Sequence, residues 1–421
     1  MRFLLALLSA LFALPALAQP LTIQKVAFTG APAFDSAGLM RASGIHPGAS
    51  TGDEIRAGAQ RLSDTGLFSN VQFKFDGENL TYNLSVAPHL LKARFDNFVW
   101  WTPEELENNL RAQVPLFVGT TPEQGTFPAS IADALSKMLA EKSITANISY
   151  IPESSAAGQP FSFVTFRIVT PLVKINSVKV EGGIGEFAQQ LDSVMQAAAN
   201  QVYSESTSKD YISTAISNVA SENGYLEEHL TNFKLGPPVV QGDSVNIDAV
   251  ATIEPGPQYH VSEVAWAGST VVSKEQFAKL NPLKNGNIAS KQELTRGMQA
   301  LGGFYYRNGY MNAKLHANPA LDHAKATVSY SITVEPGEQF HLAEVNFRKL
   351  SPEQYAAVQK AWTMRPGDLY DRTYVTSFMV KNRQALSGVL GNYGANYVET
   401  ADHDKHTVDL EISFAPLNLG R

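Results

Sequence analysis

Apolar residues recur along this chain in one frame, apolar-x-x-apolar-x-apolar, which returns five times. It opens at Ile23, Val26 and Phe28; at Leu90, Ala93 and Phe95; at Ile175, Val178 and Val180; at Val261, Val264 and Trp266; and at Leu342, Val345 and Phe347. Alternation at period two predicts a short strand at each place, with one face turned to a core. The starts lie 67, 85, 86 and 81 residues apart. Gly30, Gly182 and Gly268 end three of these strands, with Asn97 and Lys349 in the other two. A second series closes each interval at Pro88, Pro171, Pro255, Pro336 and Pro416, spaced by 83, 84, 81 and 80. Proline lacks the amide proton a ladder needs, so it stops a strand and sets a sharp junction. A third series runs in phase: Gly66, Ser143, Gly224, Gly309 and Gly394 follow helix-like segments and precede strands. Glycine there suits the left-handed residue that ends a helix. Three series in phase predict an internal repeat.

Within each interval two helical patterns are split by a short loop. In the first, residues 35–43 precede Gly44-Ile-His-Pro-Gly48, and residues 53–65 then carry Ile55, Ala59 and Leu62 on one face. In the fourth, Ser273 caps a helix to Leu280, and Ser290 opens a longer one through Leu294, Met298, Leu301 and Tyr305. In the fifth, Ser351-Pro-Glu-Gln354 has the spacing of a capping box. A hairpin follows the glycine series, clearest at Asp76-Gly77 between residues 71–75 and 80–86. Each unit therefore reads β-α-α-β-β, and the fold class is α+β: five tandem repeats in an elongated array. The expected boundaries are 1–18 for a leader, then 19–88, 89–171, 172–257, 258–338 and 339–421.

These residues resemble the polypeptide-transport-associated (POTRA) repeat of the outer-membrane-protein assembly superfamily. The resemblance rests on I-x-x-V-x-F-x-G openings, on the Asn223-Gly-Tyr225 and Asn308-Gly-Tyr310 turns, and on the closing Ile253-Glu-Pro-Gly256 and Val334-Glu-Pro-Gly337. The second unit departs, with Asn97 and Ser143 where glycine is usual and a longer loop at 119–128. The larger family members follow their repeats with a membrane β-barrel. Here only residues 417–421 follow the fifth unit. A barrel needs at least about eight strands, so the expectation is a repeat protein without one. The resemblance implies a non-enzymatic role without cofactors: binding of extended polypeptide clients, or of outer-membrane barrel and assembly proteins. It also implies the means, capture of a strand at the edge of each sheet. The candidate edges are 71–75, 146–151, 228–233, 312–317 and 395–399. Val71, Gln72, Phe73, Lys74 and Phe75 are the foremost, because their alternation would bury Val71, Phe73 and Phe75 and leave Gln72 and Lys74 to solvent.

Charge and composition narrow the partners. Lys+Arg 33 against Asp+Glu 40 gives a net charge of −7, which argues against a nucleic-acid binder. The absence of cysteine excludes disulfides, thiolate metal sites, a cysteine nucleophile and a lipidated cysteine. Residues 1–18 have Arg2, an apolar run to Leu14 and an Ala16-Leu-Ala18 end, the pattern of a secretory signal peptide cleaved before Gln19. No later stretch is long and apolar enough for a transmembrane helix, so the expected place is the periplasm, at the inner face of the outer membrane.

Three motifs carry potential chemistry. Gly48-Ala-Ser50-Thr-Gly52 matches the nucleophile elbow, yet the strand and parallel sheet which that elbow needs are missing, and a helix cap explains the composition. Ser206-Thr-Ser-Lys209 matches S-x-x-K at a helix start. Asp402-His403-Asp404-Lys405-His406 gathers possible metal ligands, but falls where a polar hairpin turn is due. The plain structural reading is preferred for all three. Trp100-Trp101 and Tyr305-Tyr306 are read first as a hydrophobic staple or packing between repeats, with Tyr305 inward and Tyr306 nearer solvent; exposure of both members would instead point to a partner or membrane-surface contact.

Overall fold

The computed structural model describes residues 21–183 and 185–416; the leader at 1–18 lies outside them. They form two compact units. One holds the described residues up to Val180 with Asp192–Ile212 and Asn232–Ala251. The other holds Glu181–Leu191, Ser213–Thr231 and the described residues from Thr252 onward.

The first unit opens with β1 (Leu21–Ile23), β2 (Lys25–Thr29), α1 (Ser36–Ser43), β3 (Gly48–Ser50), α2 (Gly52–Asp64), β4 (Phe68–Phe75) and β5 (Asn79–Val86). β6 (Leu91–Asp96), α3 (Pro103–Gln113), β7 (Thr120–Thr121), α4 (Phe127–Ala140), β8 (Asn147–Ser154) and β9 (Phe161–Thr170) follow. Next come β10 (Leu172–Glu181), α5 (Ala188–Ala198), α6 (Ser208–Glu222), β11 (His229–Leu235), β12 (Val239–Gln241) and β13 (Ser244–Glu254), which the division between the units crosses. The second unit continues with β14 (His260–Trp266), α7 (Lys274–Leu280), α8 (Lys291–Arg307), β15 (Lys314–Asp322) and β16 (Thr327–Glu335). It ends with β17 (His341–Arg348), α9 (Pro352–Ala361), α10 (Tyr374–Leu390), β18 (Tyr393–Asp402) and β19 (Thr407–Pro416).

The element order repeats, and so does the topology. The sheets run β2-β5-β4, β7-β6-β9-β8, β10-β13-β11, β14-β16-β15 and β17-β19-β18. In β2-β5, β6-β9, β14-β16 and β17-β19 the opening strand pairs in parallel with the closing one. The middle strand pairs antiparallel with the closing strand in β4-β5, β8-β9, β15-β16 and β18-β19. A parallel pair needs a crossover, and the two helices supply it.

Local chemistry explains the helix starts. Thr51 with Glu54, Thr102 with Glu105, Ser273 with Gln276 and Ser351 with Gln354 all close capping boxes, each satisfying two otherwise unpaired amides. Gly66, Gly224 and Gly309 have φ of +76°, +85° and +84°, as expected of helix ends. Gly394 does not belong with them. It lies inside β18, and α10 is closed three residues earlier by Gly391, whose amide donates to the Ser387 carbonyl. In the second set Ser143 (φ +63°) and Asn97 (φ +58°) adopt the left-handed conformation without being glycine.

Asn97 shows how. β6 ends opposite Arg167, so Ile168 of β9 has no strand partner on that side. The Asn97 side chain takes that place: its Nδ2 donates to the Ile168 carbonyl at 3.0 Å and its Oδ1 accepts from the Ile168 amide at 2.9 Å. At Gly30 the backbone itself fills the equivalent space, since a Cβ there would lie 2.0 Å from the Leu84 carbonyl oxygen. In the first unit Ile23 to Ile168 contribute to one continuous core; in the second, cores form around Tyr259, Leu301 and Tyr330 and around Phe340, Tyr370 and Phe378.

Candidate functional site

The middle strands β4, β8, β11, β15 and β18 each lie at the end of their sheet's strand order. In β4 two hydrogen bonds fix which amides face outward. Asp76 N donates to Asn79 O at 3.2 Å at the turn, and Ala87 N donates to Leu67 O at 2.8 Å at the far end. Antiparallel pairs alternate between hydrogen-bonded and non-bonded, so Gln72, opposite Asn83, turns its amide into the ladder. Val71, Phe73 and Phe75 turn theirs to the open edge.

The side chains depart from expectation at one residue. Val71 and Phe75 are half-buried and Gln72 and Lys74 exposed, but Phe73 is 39% exposed rather than buried. Its ring lies 6.0 Å from Tyr82, which is buried with its hydroxyl on the Ile55 carbonyl of α2. Phe73 is thus on the helix side of the sheet, at the rim that α2 leaves uncovered. Exposed apolar residues mark other edges too: Tyr150 and Ile151 on β8, Tyr397 and Val398 on β18. β8 and β15 carry Pro152 and Pro319, each of which lacks a ladder donor, whereas β4 and β18 carry no proline.

A second feature lies in the first unit: a cleft of about 1020 Å³ bordered by β6, the start of α3, residues 203–206 and residues 235–238. Asp96, almost fully buried, binds Arg167 Nε at 2.7 Å and accepts the Glu205 amide at 2.6 Å. Glu205 is exposed as a residue, yet partial desolvation of its carboxyl in the cleft, then the charge of Asp96, pushes that carboxyl up from its ordinary value. Burial also pushes the neighbouring Tyr203 hydroxyl up, with the charges of Glu205 and Asp96 adding to it. Trp100 and Trp101, half-buried with ring centroids 6.3 Å apart, form a wall. The sequence singled out this tryptophan pair but gave no sign that Glu205, 109 residues from Asp96, would join it.

The motifs with possible chemistry take structural positions. A strand does precede α2 here, contrary to expectation, since β3 ends at Ser50. But β3 pairs only with β1 and antiparallel, so the parallel sheet of an elbow is absent from this site, and Ser50 Oγ donates to Glu54 Oε2 at 3.0 Å. The Thr51 amide, followed by the Ser50 and Thr51 hydroxyls, holds the Glu54 carboxyl below its ordinary range, which makes it a poor proton acceptor. Ser206 is exposed and shares a hydrogen bond with Ser204, just ahead of α6. His403 and His406 pack their rings near Phe340 and face Glu338 at 3.9 and 3.3 Å. Asp402 instead holds Lys405 within the hairpin turn. No cluster of three or more His, Cys, Asp or Glu residues with metal-binding geometry occurs among the described residues. Tyr305 is buried and Tyr306 half-buried, as the pattern predicts.

Residues 259–337, which begin just before β14 and end just after β16, match the family model POTRA, described as Surface antigen variable number repeat. That stretch is a POTRA domain. It is 24% identical over 221 residues to a Treponema pallidum protein named "Putative outer membrane protein assembly factor", and 24% identical over 204 residues to the outer membrane protein assembly factor BamA of Neisseria meningitidis serogroup B. These alignments take in 47% and 45% of this chain but only 26% and 25% of those proteins, so the chain spans about a quarter of the length of either relative. The crystal structure of Haemophilus influenzae BamA POTRA3-5 aligns at 13% identity with a TM-score of 0.46, over 58% of this chain and 97% of that one.

The POTRA domain at 259–337 is bounded on both sides by the same hydrogen-bonded arrangement. Before it, Tyr259 N donates to Gly224 O at 2.8 Å and Gln258 Nε2 to Asn223 O at 3.0 Å. After it, Phe340 N donates to Gly309 O at 2.8 Å and Gln339 Nε2 to Asn308 O at 2.9 Å. Each glycine allows the close approach: a Cβ would meet the Tyr259 carbonyl oxygen at 2.9 Å or the Phe340 carbonyl oxygen at 2.8 Å. Among the described residues no helix is long and apolar enough to cross a membrane, which says nothing of β-barrels.

Proposed function

We propose that the chain is a non-enzymatic scaffold of five POTRA-like repeats, bounded as the sequence markers place them, that binds extended polypeptides or assembly partners in the periplasm during outer-membrane protein assembly. Binding is by strand augmentation at the middle-strand edges, foremost β4. The observation that carries this is the β4 edge itself: three outward amides, no proline, and the aromatic rim of Phe73 left uncovered beside them. A strand added there gains backbone hydrogen bonds with little sequence preference, and Phe73 gains cover. The assembly-factor names of the relatives support the process, and the signal-peptide pattern supports the compartment.

Photo-crosslinking tests it. A benzophenone amino acid at Lys74, whose side chain is exposed beside the edge, yields adducts with extended clients in cells, and the same probe at Asp53 on the far side of α2 does not. Equal labelling at both positions refutes the edge. Intact mass tests the compartment: a secreted chain begins at Gln19, and retention of Met1 overturns export.

A further inference from the structure

The cleft in the first unit adds a second, opposite strand edge to the picture. β7 pairs with β6 only at Leu91 and Lys92, and Ala93 N donates to Gly119 O at 3.0 Å on that same side. Alternation of a parallel strand then puts the N–H and carbonyl of Phe95 on the open side, where no described strand meets them. This length of β6 forms one wall of the cleft, with Trp100 and Trp101 close by. Asp96 is spent on Arg167 and on the Glu205 amide. That amide bond holds Glu205 at the end of the edge. Among the described residues no cation or donor pairs with the Glu205 carboxylate. Arg94, which also lines the cleft two residues before Asp96, is drawn off over the Phe163 ring at 3.8 Å and toward Glu153 at 3.6 Å.

We infer that this cleft binds an extended polypeptide segment along β6 and receives one of its arginine or lysine side chains at Glu205, against the Trp100–Trp101 wall. The inference rests on the polypeptide-binding reading above and names the class of segment. An open backbone edge selects an extended main chain, since only another strand matches its donor and acceptor spacing. An unpaired carboxylate that lines the same cleft as two indoles selects a cation, because the ion pair and the cation–π attraction both strengthen as water is excluded. Anionic ligands meet the like charges of Asp96 and Glu205 and are disfavoured. Lys142 Nζ already lies 5.0 Å from the Trp101 ring, so this indole accepts a cation within the chain itself. The indole of Trp100 takes the incoming side chain.

The probe is the blocked hexapeptide acetyl-Thr-Phe-Thr-Arg-Thr-Phe-amide, compared with the same peptide carrying citrulline in place of arginine. The full mature chain is labelled with 5-fluorotryptophan, and its four tryptophan signals are assigned by single Trp→Phe variants. The arginine peptide moves the Trp100 and Trp101 signals and leaves Trp266 and Trp362 in place. The citrulline peptide binds at least about ten-fold more weakly, a difference of about 1.4 kcal/mol. Glu205→Gln, at an exposed position, makes the two peptides equal. Equal binding of both peptides to the unmodified chain overturns the inference, as does an unchanged ratio in Glu205→Gln. Still Trp100 and Trp101 signals, with adducts continuing at Lys74, overturn the inference alone and leave the scaffold reading standing. Loss of both brings down both.

Discussion

Replacing Asn97 tests whether a side chain does in the second repeat what a close backbone contact does in the first. The two bonds from Asn97 to Ile168, at 3.0 and 2.9 Å, are buried, and β6 has already ended beside them. Asn97→Ala leaves one amide and one carbonyl buried without partners, each costing about 1–3 kcal/mol. Alanine at φ +58° adds about 1 kcal/mol of backbone strain. The sum is roughly 3–7 kcal/mol. Asn97→Gly removes the strain and leaves room for water at the two groups, so it costs roughly 1–2 kcal/mol. The chain has several cores, which makes a single unfolding midpoint ill-defined. Native-state hydrogen exchange at the amides of β8 and β9 is the appropriate assay, because it reads local opening free energies. The expected order of protection is wild type, then glycine, then alanine, with at least a hundred-fold loss in Asn97→Ala. An alanine variant that loses less than three-fold, or a glycine variant as weak as alanine, refutes the argument.

Proline scanning of β4 follows the register: Gln72→Pro breaks a ladder bond to Asn83 and destabilises the first sheet by about 1 kcal/mol or more, whereas Val71→Pro keeps the ladder and lowers client crosslinking at Lys74. The opposite pattern, read by urea melts and adduct yield, would invert the assigned register. Gly30→Ala and Gly268→Ala carry similar strain at φ +82° and +88°, but only Gly30 faces a carbonyl at 2.0 Å, so it costs at least about 2 kcal/mol more in chemical denaturation. The folded pKa of Glu205 is raised, so its ionisation opposes folding above that pKa and the penalty vanishes below the unfolded value of about 4.3. Glu205→Gln therefore increases amide-exchange protection around residues 203–208 relative to wild type at pH 7.5 and not at pH 4; an equal gain at both would show another cause. Small-angle scattering of the mature chain tests the sequence-based expectation of an elongated array, and a profile fitting one compact globule of about 400 residues refutes that expectation.

The order of elements was legible from the chain because it depends on local signals. Period-two apolar runs give strands, serine and threonine three residues ahead of Glu or Gln give capped helices, and Pro171, Pro255 and Pro336 directly follow closing strands, with Pro88 one residue further on. Those signals act within a few residues, so they need no tertiary context. Where a local signal had two outlets it failed: Gly391 and Gly394 both stand near the end of α10, and only packing decides that Gly394 joins β18. Alternation in β4 told correctly which face Phe73 occupies but not that α2 stops short of covering it, because the reach of a helix across a sheet is set by the packing of both. The direction of the Gln72 amide depends on hydrogen bonds at the two ends of a hairpin, and alternation of side chains carries no record of it. The meeting of Asp96 with Glu205, and the cleft they border with Trp100, join segments far apart in sequence. Chain closure over that distance has no local signature, so this site belongs to the tertiary structure alone.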